Sequence, residues 1–204
     1  MRLHMTDTTP EMIDAVFDIS GDTLPAAYPF ALWDALVRHA PSLETDALIG
    51  VIPLRTAASA AGMLLPRRAK LALRLPTSLA AHAASLSGQL LDLGSGTLQL
   101  GNAKLRQIQP YPTLHAHLVT GAENEVEFLE EVTERLAELC IAGKLICGMR
   151  NRMTAPDRTI EGYSLVIHDL KSEASLRLQY TGLGADRRFG CGIFIPYKAI
   201  SDLD

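Results

Sequence analysis

Residues 181–198 read TGLGADRRFGCGIFIPYK, and the interpretation of the whole chain starts from this stretch. Arg187 and Arg188 lie at its centre, between two Gly-x-Gly pairs. The glycines of these pairs are Gly182, Gly184, Gly190 and Gly192. Exposed N–H groups in a glycine-rich loop form an anion-binding concavity, and guanidiniums beside it are bidentate phosphate donors. The stretch therefore predicts a loop that binds a phosphodiester, and the alternative is a glycine-rich turn with its arginines in solvent.

The spacing of this loop excludes two other phosphate-binding motifs. A Walker loop needs Lys-Ser or Lys-Thr directly after its last glycine, and no such pair follows Gly192. A dinucleotide fingerprint needs a third glycine where Arg187 stands, and it opens a helix, whereas the residues that follow here predict a strand. The loop is therefore neither a nucleotide-triphosphate nor a dinucleotide site.

The composition predicts a globular protein with an aliphatic core. The chain has 204 residues, of which 48% are hydrophobic and only 5% aromatic, which suits one compact domain or two small ones. Its apolar runs are too short to cross a bilayer and no basic-then-apolar leader opens it, so we expect a cytoplasmic protein without a membrane partner. Three cysteines without metal-ligand spacing predict buried thiols rather than disulfides or zinc, and they are Cys140, Cys147 and Cys191.

Charge is distributed in alternating blocks along the chain. The net charge is −4, which by itself argues against nucleic-acid binding. Residues 1–60 carry −5 and residues 61–120 carry +5, while residues 121–148 carry −5 and residues 149–198 carry +3. Such alternation is expected if one face of the folded chain is kept positive, although ordinary surface patchiness gives the same pattern.

Apolar periodicity predicts strands and helices in a repeated order. The predicted strands are residues 12–19, 48–54, 69–75, 98–108, 113–119, 144–147, 163–168 and 191–195. The predicted helices are residues 28–39, 77–87, 125–140 and 172–180, the last one capped by Ser172. Residues 56–62 predict a flexible loop, and residues 151–158 predict the loop of a hairpin. The helix at 125–140 has an apolar side made of Val126, Leu129, Val132, Leu136 and Leu139.

The order strand–helix–strand–strand–helix–strand occurs twice and defines the predicted fold. Each such unit is a four-stranded antiparallel sheet with two helices on one face, the ferredoxin-like or RRM-like arrangement. We predict an α+β protein with a flexible tail at 1–10, a first module at 11–109 and a second at 110–204. RRM-type sheets present an open face to single-stranded RNA. Because aromatic residues are few, phosphate contacts should dominate over base stacking.

Five segments of the chain carry a resemblance to a known superfamily. They are VFDISGDTLP (16–25), GVIPLRTA (50–57), RRAKLALRLP (67–76), YPTLHAHLV (111–119) and SLRLQYTGLGADRRFGCGIFIPYK (175–198). Together with two tandem ferredoxin-like units, they resemble the RAMP superfamily of repeat-associated proteins from CRISPR systems. Within it, the chain is similar to the endoribonucleases that process precursor CRISPR RNA, in their short subgroup. The Gly-Cys-Gly-x-Phe-x-Pro run at 190–196 is the most specific part of the match.

This resemblance implies a substrate, a reaction and partners. The substrate is a CRISPR repeat in the precursor transcript, often a small hairpin, and the mature guide RNA is implied to stay bound, with retention among other subunits of a surveillance complex. The reaction uses no metal and no cofactor: the ribose 2′-OH attacks the adjacent phosphate and leaves 2′,3′-cyclic phosphate and 5′-OH ends. Such a site needs a base, an acid, and donors for the developing phosphorane charge.

The candidate catalytic residues are Tyr28, His39 and Arg55. The resemblance implies a histidine at the start of the first helix, where Tyr28 stands, and a second one where Ile52 stands. His39 ends the same predicted helix and is our first candidate for the base, since the pKa of histidine lies near neutrality. Its structural alternative is a cation stabilised by the helix C-terminus. Arg55 lies in a matched segment and is the candidate cation for the scissile phosphate, or else a surface arginine.

Two further histidines and a set of cations complete the candidates. His115 and His117 alternate along one predicted strand and point to one face, where they either reach RNA or are ordinary surface histidines. The cations and glycines expected to contact the RNA backbone are Arg67, Arg68, Lys70, Arg74, Arg150, Arg152, Gly182, Gly184, Arg187, Arg188, Gly190 and Gly192.

Two other functions remain open on the sequence. Loss of the histidine at Tyr28 is compatible with a guide-RNA-binding subunit that no longer cleaves. A tandem RRM regulator unrelated to CRISPR would share the same order of strands and helices. The sequence therefore predicts an RNA-binding protein in every case, and an endoribonuclease in the first.

Overall fold

The computed structural model describes residues 9–21, 23–59 and 62–197, so residues 1–8 of the predicted tail at 1–10 and the residues after 197 lie outside it. Within this part of the chain no helix has the length and apolar character needed to span a bilayer. The first half contributes strands β1 (Met12–Gly21), β2 (Thr23–Leu24), β3 (Gly50–Ile52), β4 (Ala57–Ser59), β5 (Gly62–Leu64), β6 (Lys70–Pro76), β7 (Leu90–Asp92), β8 (Thr97–Leu100) and β9 (Lys104–Gln107). Its helices are α1 (Tyr28–His39) and α2 (Ala80–Ala84).

The main sheet of the first half is antiparallel and contains the ferredoxin-like order. Strand β1 pairs with β6 on one side and with β9 on the other, and β3 pairs with the far edge of β6. The hairpin of β7 and β8 continues from the end of β1, while β2, β5 and β4 form a separate small sheet. Helices α1 and α2 share one hydrophobic cluster with these strands, as the apolar periodicity predicts.

Two predictions for the first half need correction. The stretch predicted as a flexible loop at 56–62 contains β4 and the first residue of β5, and the two strands pair with each other. The strand predicted at 98–108 is two strands, because Gly101 breaks it: its N–H donates to the Asp18 carbonyl at 2.8 Å and turns the chain away. Strand β8 pairs with the end of β1, and β9 pairs with its beginning.

The second half forms the second ferredoxin-like module. Its elements are β10 (Leu114–Thr120), α3 (Glu125–Glu138), β11 (Lys144–Ala155), β12 (Arg158–His168), α4 (Ser172–Thr181) and β13 (Ile195–Pro196). The strands follow the order β11-β12-β10-β13, and all of their pairs are antiparallel. Two such modules in one chain confirm the predicted α+β fold class.

Several boundaries in this half differ from the prediction. The hairpin strands β11 and β12 continue through the predicted loop at 151–158 and leave only Pro156 and Asp157 in the turn. The last strand is shorter than predicted, because residues 191–194 are held by packing and turns rather than by a ladder. Lys171, without a side-chain cap, precedes α4, so Ser172 is its first residue and not its cap. On α3, Phe128 is buried whereas Val126 is 65% exposed.

The two modules have separate hydrophobic clusters that meet at a few residues. The cluster of the second module contains residues from β10, α3, β12 and α4. Four residues of the second half join the cluster of the first module instead, and they are Leu118, Ile160, Phe189 and Cys191. The modules therefore pack against each other through their cores, and the predicted boundary between residues 109 and 110 stays a prediction.

Candidate functional site

A cleft of about 880 Å³ lies between the two modules. The first module contributes the N-terminal turn of α1 and the segment between β3 and β4, and the second contributes β10, β11 and the residues around β13. The polar side chains among its lining residues are Tyr28, Arg55, Thr56, His115, His117, Arg152, Thr154 and Tyr197. Imidazole and guanidinium groups from both modules thus border one cleft.

Tyr28 lies at the beginning of α1, at the mouth of this cleft. Its hydroxyl donates a hydrogen bond to the Leu54 carbonyl over 3.5 Å. Burial raises the pKa of the phenol above its ordinary value of 10.0, and the bond to Leu54 opposes this only in part. At neutral pH Tyr28 therefore keeps its proton and acts as a hydrogen-bond donor, not as a base.

His39 lies at the other end of α1 and does not border the cleft. A helix rises 1.5 Å per residue, so the 12 residues of α1 separate it from Tyr28 by about 16 Å. Its side chain is exposed at the last turn, where a cation is favoured by the helix dipole. The expectation that His39 and Tyr28 form one site is wrong, because the helix holds them apart.

Arg55 is exposed at the edge of the cleft, on the segment that leads from β3 to β4. Within residues 9–21, 23–59 and 62–197 it has no carboxylate partner within ion-pair distance. A guanidinium without a partner is free to bind an incoming phosphate in a bidentate manner. The position of Arg55 is compatible with its predicted role, which stays a prediction.

His115 and His117 both border the cleft from β10, as their alternation predicts. The residues between and beside them, Leu114 and Ala116, point into the core of the second module. His115 is half-buried and contacts the ring of Tyr197, with 5.9 Å between ring centroids. Burial lowers the pKa of His115 below its ordinary value of 6.5, and the nearby charge of His117 lowers it further.

The glycine-rich loop does not present its N–H groups to the cleft. The N–H of Gly182 donates to the Leu178 carbonyl, and that of Gly190 to the Arg187 carbonyl. The N–H of Gly192 donates to the Leu118 carbonyl of β10 at 2.7 Å. Three of the four predicted glycines thus already have backbone partners, so the predicted anion-binding concavity is wrong and the loop is instead a packed connection.

Two glycines of the loop are required because the backbone segments around residues 182 and 192 pass close to each other; we call this close approach the crossing. Gly182 and Gly192 both have positive φ, of 65° and 63°. A Cβ on Gly192 would overlap the Leu183 carbonyl oxygen, and one on Gly182 would overlap the guanidinium of Arg187. Close backbone approach, not contact with a ligand, therefore explains these two glycines. Gly184, whose Cβ would meet Thr120, is constrained in the same way.

Arg187 is buried within this crossing, with 6% of its surface exposed. Its guanidinium donates to three carbonyl oxygens: Leu48 at 3.0 Å, Thr181 at 2.8 Å and Tyr180 at 3.3 Å. Burial, and secondarily the charge of Arg74, lowers its pKa to about 10, so it stays charged at neutral pH. Arg187 joins the loop to the first module, and the expectation that it donates to phosphate is wrong.

Arg74 is also withdrawn from solvent, with 2% of its surface exposed. It donates to both carboxylate oxygens of Asp14, which lies opposite it on β1, at 2.8 and 2.9 Å. The same guanidinium donates across the module boundary to the carbonyls of Phe194 at 2.7 Å and Gln179 at 3.3 Å. The second module therefore covers this part of the first sheet, and the expected RNA contact by Arg74 is wrong.

The remaining cations that were predicted to bind RNA lie at the surface. Some of them already form ion pairs or ring contacts within the protein, and others do not. Arg67 and Arg68 lie in the turn before β6 and have no ion-pair partner among the described residues. Lys70 pairs with Asp18 at 3.1 Å. Three others are partly engaged: Arg150 binds Glu123 and Glu161, Arg152 binds Glu161, and Arg188 stacks over the Phe189 ring at 4.9 Å.

Two side-chain contacts at or beside the cleft were not predicted from the sequence. Tyr197 borders it next to His115, although it lies 82 positions further along the chain. Arg158, at the start of β12, lies over the rings of Phe30 and Phe189, which border the cleft, at 5.8 and 5.5 Å from the ring centroids. No pattern in the sequence indicates either contact, since both join distant segments. The described residues contain no cluster of His, Cys, Asp or Glu with the geometry of a metal site.

The tandem modules and the cleft between them belong to a fold class that a solved RAMP protein shares. A solved RAMP protein that binds different RNA substrates superimposes with a TM-score of 0.63 over 90% of this chain and 98% of its own, at 13% identity. A Cas6-related protein from Pyrococcus furiosus gives a TM-score of 0.65 over 91% and 97%, at 12% identity. At such identities the likeness shows the fold alone.

The sequence identifies the family within this class. The model of the Cas6 CRISPR family matches residues 13–199. A CRISPR-associated endonuclease Cas6 from Myxococcus xanthus (strain DK1622) is 32% identical over 186 residues, which cover 90% of this chain and 81% of that protein. The chain belongs to the Cas6 family.

Proposed function

We propose that this protein binds the repeat RNA of a precursor CRISPR transcript in the cleft between its modules and cleaves it at one phosphodiester. One observation carries the proposal: a cleft bordered by an unpaired guanidinium and two imidazoles, in a chain that is 32% identical to a CRISPR-associated endonuclease. A solved relative of the same fold, Cse3 from Thermus thermophilus, is bound to an RNA that represents a pre-cleavage complex. Its TM-score of 0.54 at 14% identity supports a shared fold only.

The reaction that fits the cleft is an internal transesterification. The ribose 2′-OH attacks the neighbouring phosphorus, the bond to the 5′ oxygen breaks, and the products are a 2′,3′-cyclic phosphate and a 5′-OH end. Proton transfer to and from a positioned side chain accelerates such a step by about 10²–10⁴. The side chains of the cleft supply donors, acceptors and positive charge without a metal ion.

Within the cleft, we assign Arg55 to the non-bridging oxygens of the scissile phosphate. Its guanidinium is exposed and bordered by the Tyr28 end of α1. Tyr28 supplies a hydrogen bond to the ribose or to the phosphate, since its raised pKa keeps the hydroxyl protonated. Arg67 and Arg68 hold the RNA backbone outside the cleft, and Arg150, Arg152 and Arg188 add weaker contacts because they first release present partners.

Incubation of the purified protein with a repeat-containing transcript in EDTA tests the reaction. We expect one defined cut, with a cyclic phosphate on the upstream fragment and a free 5′-OH on the downstream one, because no metal is needed. The control is a scrambled RNA of equal length, which should be neither bound tightly nor cut. Cleavage that appears only after Mg²⁺ is added would contradict the metal-free reaction.

A second candidate function is a guide-RNA-binding subunit that does not cleave and works with other subunits of a surveillance complex. The observation that favours it is Tyr28, a phenol that keeps its proton at the position where a histidine is expected. This candidate predicts tight binding to the repeat and no cut at any pH between 5 and 9. The same incubation therefore separates the two functions.

A further inference from the structure

Strand β10 presents two histidines to the cleft, and its geometry sets them apart from the remaining histidines. A register shift lies between Ala116 and Val119 on β10, where it pairs with β12. Such bulges re-aim neighbouring side chains and are frequent beside active sites. Here the bulge lets Leu118 pack into the core of the first module while Val119 packs into that of the second. Strand β10 is thereby held against the first module, with His115 and His117 facing the cleft.

The two imidazoles lie in different surroundings. His115 is half-buried beside the Tyr197 ring, and its strand neighbours are Val166 on β12 and Ile195 on β13. His117 is exposed, and its backbone carbonyl accepts a hydrogen bond from Asn151 Nδ2 at 2.7 Å, which joins β10 to β11. One imidazole is thus partly shielded from water and the other is open to it.

The environment of His115 sets its protonation state. Burial and the charge of His117 both hold the pKa of His115 below 6.5, so at neutral pH His115 is the free base. General acid–base catalysis needs one group that takes a proton and another that gives one, and the two imidazoles border the same cleft.

We infer that His115 and His117 are the proton-transfer pair of this protein, with His115 as the base for the ribose 2′-OH and His117 as the acid for the leaving 5′ oxygen. The inference rests on the proposed function and assigns its chemistry to the second module, not to the first helix. Arg55 approaches the same cleft from the first module. The site is therefore complete only when the two modules are packed together.

The protons balance in a single turnover. His115 takes the proton of the 2′-OH as the 2′ oxygen forms its bond to phosphorus. The bond from phosphorus to the 5′ oxygen breaks, and that oxygen takes the proton of the His117 imidazolium. After the products leave, His115 releases its proton to water and His117 gains one from water, which restores the starting state.

The pH dependence of the rate follows from the charges around the cleft. The titratable and charged groups that face the pair from the packed elements are Tyr28 of α1, Arg55 after β3, Arg152 of β11 and Tyr197 after β13. Among the described residues that border the cleft, none is a carboxylate. We expect the rate to fall below the lowered pKa of His115, where the base is protonated.

The test compares His115→Gln and His117→Gln with the matched control His82→Gln, a substitution of an exposed histidine on α2 outside the cleft. Single-turnover cleavage of the repeat RNA in EDTA should slow by about 10²–10⁴ in each cleft variant and stay unchanged in the control. Affinity for a repeat with a 2′-deoxyribose at the cleavage position should stay within about twofold in all three. The H115Q profile should lose the fall in rate at acidic pH, which a purely structural role of His115 would not cause.

A second readout does not require cleavage. NMR spectra of the imidazole C–H groups should show His115 and His117 shifting when the 2′-deoxy repeat binds, while His82 does not shift. The inference is overturned if the native protein cuts and both cleft variants cut at its rate, or if His39→Gln alone abolishes cutting. It is also overturned if bound RNA leaves both imidazoles unperturbed. If the native protein binds the repeat without cutting, the proposed function itself fails and this assignment fails with it.

Discussion

Arg187 and Arg188 are neighbours in sequence, but their surroundings give them opposite roles. Arg188 is exposed and lies over the face of Phe189, whereas Arg187 is buried and donates to three backbone carbonyls. A buried carbonyl that loses its donor costs about 1–3 kcal/mol. At the scale of single residues, then, stability depends on Arg187 and surface charge depends on Arg188.

We expect Arg187→Lys to lower the free energy of unfolding by about 2–4 kcal/mol, because one ammonium cannot reproduce the fork that reaches Leu48, Thr181 and Tyr180. The control Arg188→Lys should change it by less than about 0.5 kcal/mol. Urea unfolding followed by circular dichroism measures both. If R187K were as stable as R188K but bound repeat RNA poorly, the phosphate-donor role predicted from the sequence would be restored.

The glycine-rich loop is the element that joins the modules. Its chain passes so close to β10 that the Gly192 N–H reaches the Leu118 carbonyl, and Arg187 within it reaches Leu48 in the first module. Arg74 adds a second connection from β6 to the carbonyls of Phe194 and Gln179. These contacts fix the position of the second module relative to the first. Because the cleft lies between β10 and α1, they also fix the width of the cleft.

Gly192→Ala tests this element against Gly88→Ala. Both glycines have positive φ, 63° and 75°, so each alanine carries a conformational cost of about 1–2 kcal/mol. Only at Gly192 does the new Cβ also overlap a backbone oxygen, that of Leu183, while nothing lies within 4 Å of a Cβ at Gly88. We expect G192A to lose at least about 2 kcal/mol more stability than G88A in thermal or urea unfolding. An equal loss of stability in the two variants would mean that the backbone at Gly192 is not tightly packed against the Leu183 carbonyl.

At the scale of the whole molecule, a net charge of −4 coexists with exposed arginines that have no ion-pair partner among the described residues. The acidic side chains of α3 lie on the outside of the second module, while the turn with Arg67 and Arg68 has no acidic partner among the described residues. Affinity for RNA should therefore come from a few unpaired cations and depend steeply on salt. It does not require an overall basic protein.

The variant R67A/R68A should bind repeat RNA more weakly and with a shallower salt dependence. Each lost phosphate contact lowers the slope of log K against log salt by about 0.7 for a single strand. The control R135A/K144A removes two cations that are paired with Glu138 and Asp169, and its slope should match that of the native protein. Fluorescence anisotropy between 50 and 300 mM KCl measures both slopes. Equal slopes in the two variants would remove Arg67 and Arg68 from the binding surface.

Local patterns in the sequence were sufficient for most of the fold. The alternation in β10 and the spacing in α1 predicted these elements within a residue, because each pattern depends on neighbours along the chain. The same patterns failed where pairing with a distant segment determines the secondary structure. At 56–64, β4 pairs with β5, and β5 also pairs with the distant strand β2. For the site, sequence predicted Arg55 and the shared face of His115 and His117, but it joined His39 to Tyr28 wrongly.

What the sequence determined by itself is the repeated order of strands and helices, the family to which the chain belongs, and the residue types available for RNA chemistry. What only the tertiary structure decided is which of those residues meet. The sequence gives no means of distinguishing Arg74 and Arg187 from Arg67 and Arg68. Yet Arg74 and Arg187 are buried and donate to backbone carbonyls, whereas Arg67 and Arg68 are exposed to solvent. The physical reason is that burial and partnership depend on contacts between modules, and these join residues more than a hundred positions apart, such as Arg187 and Leu48.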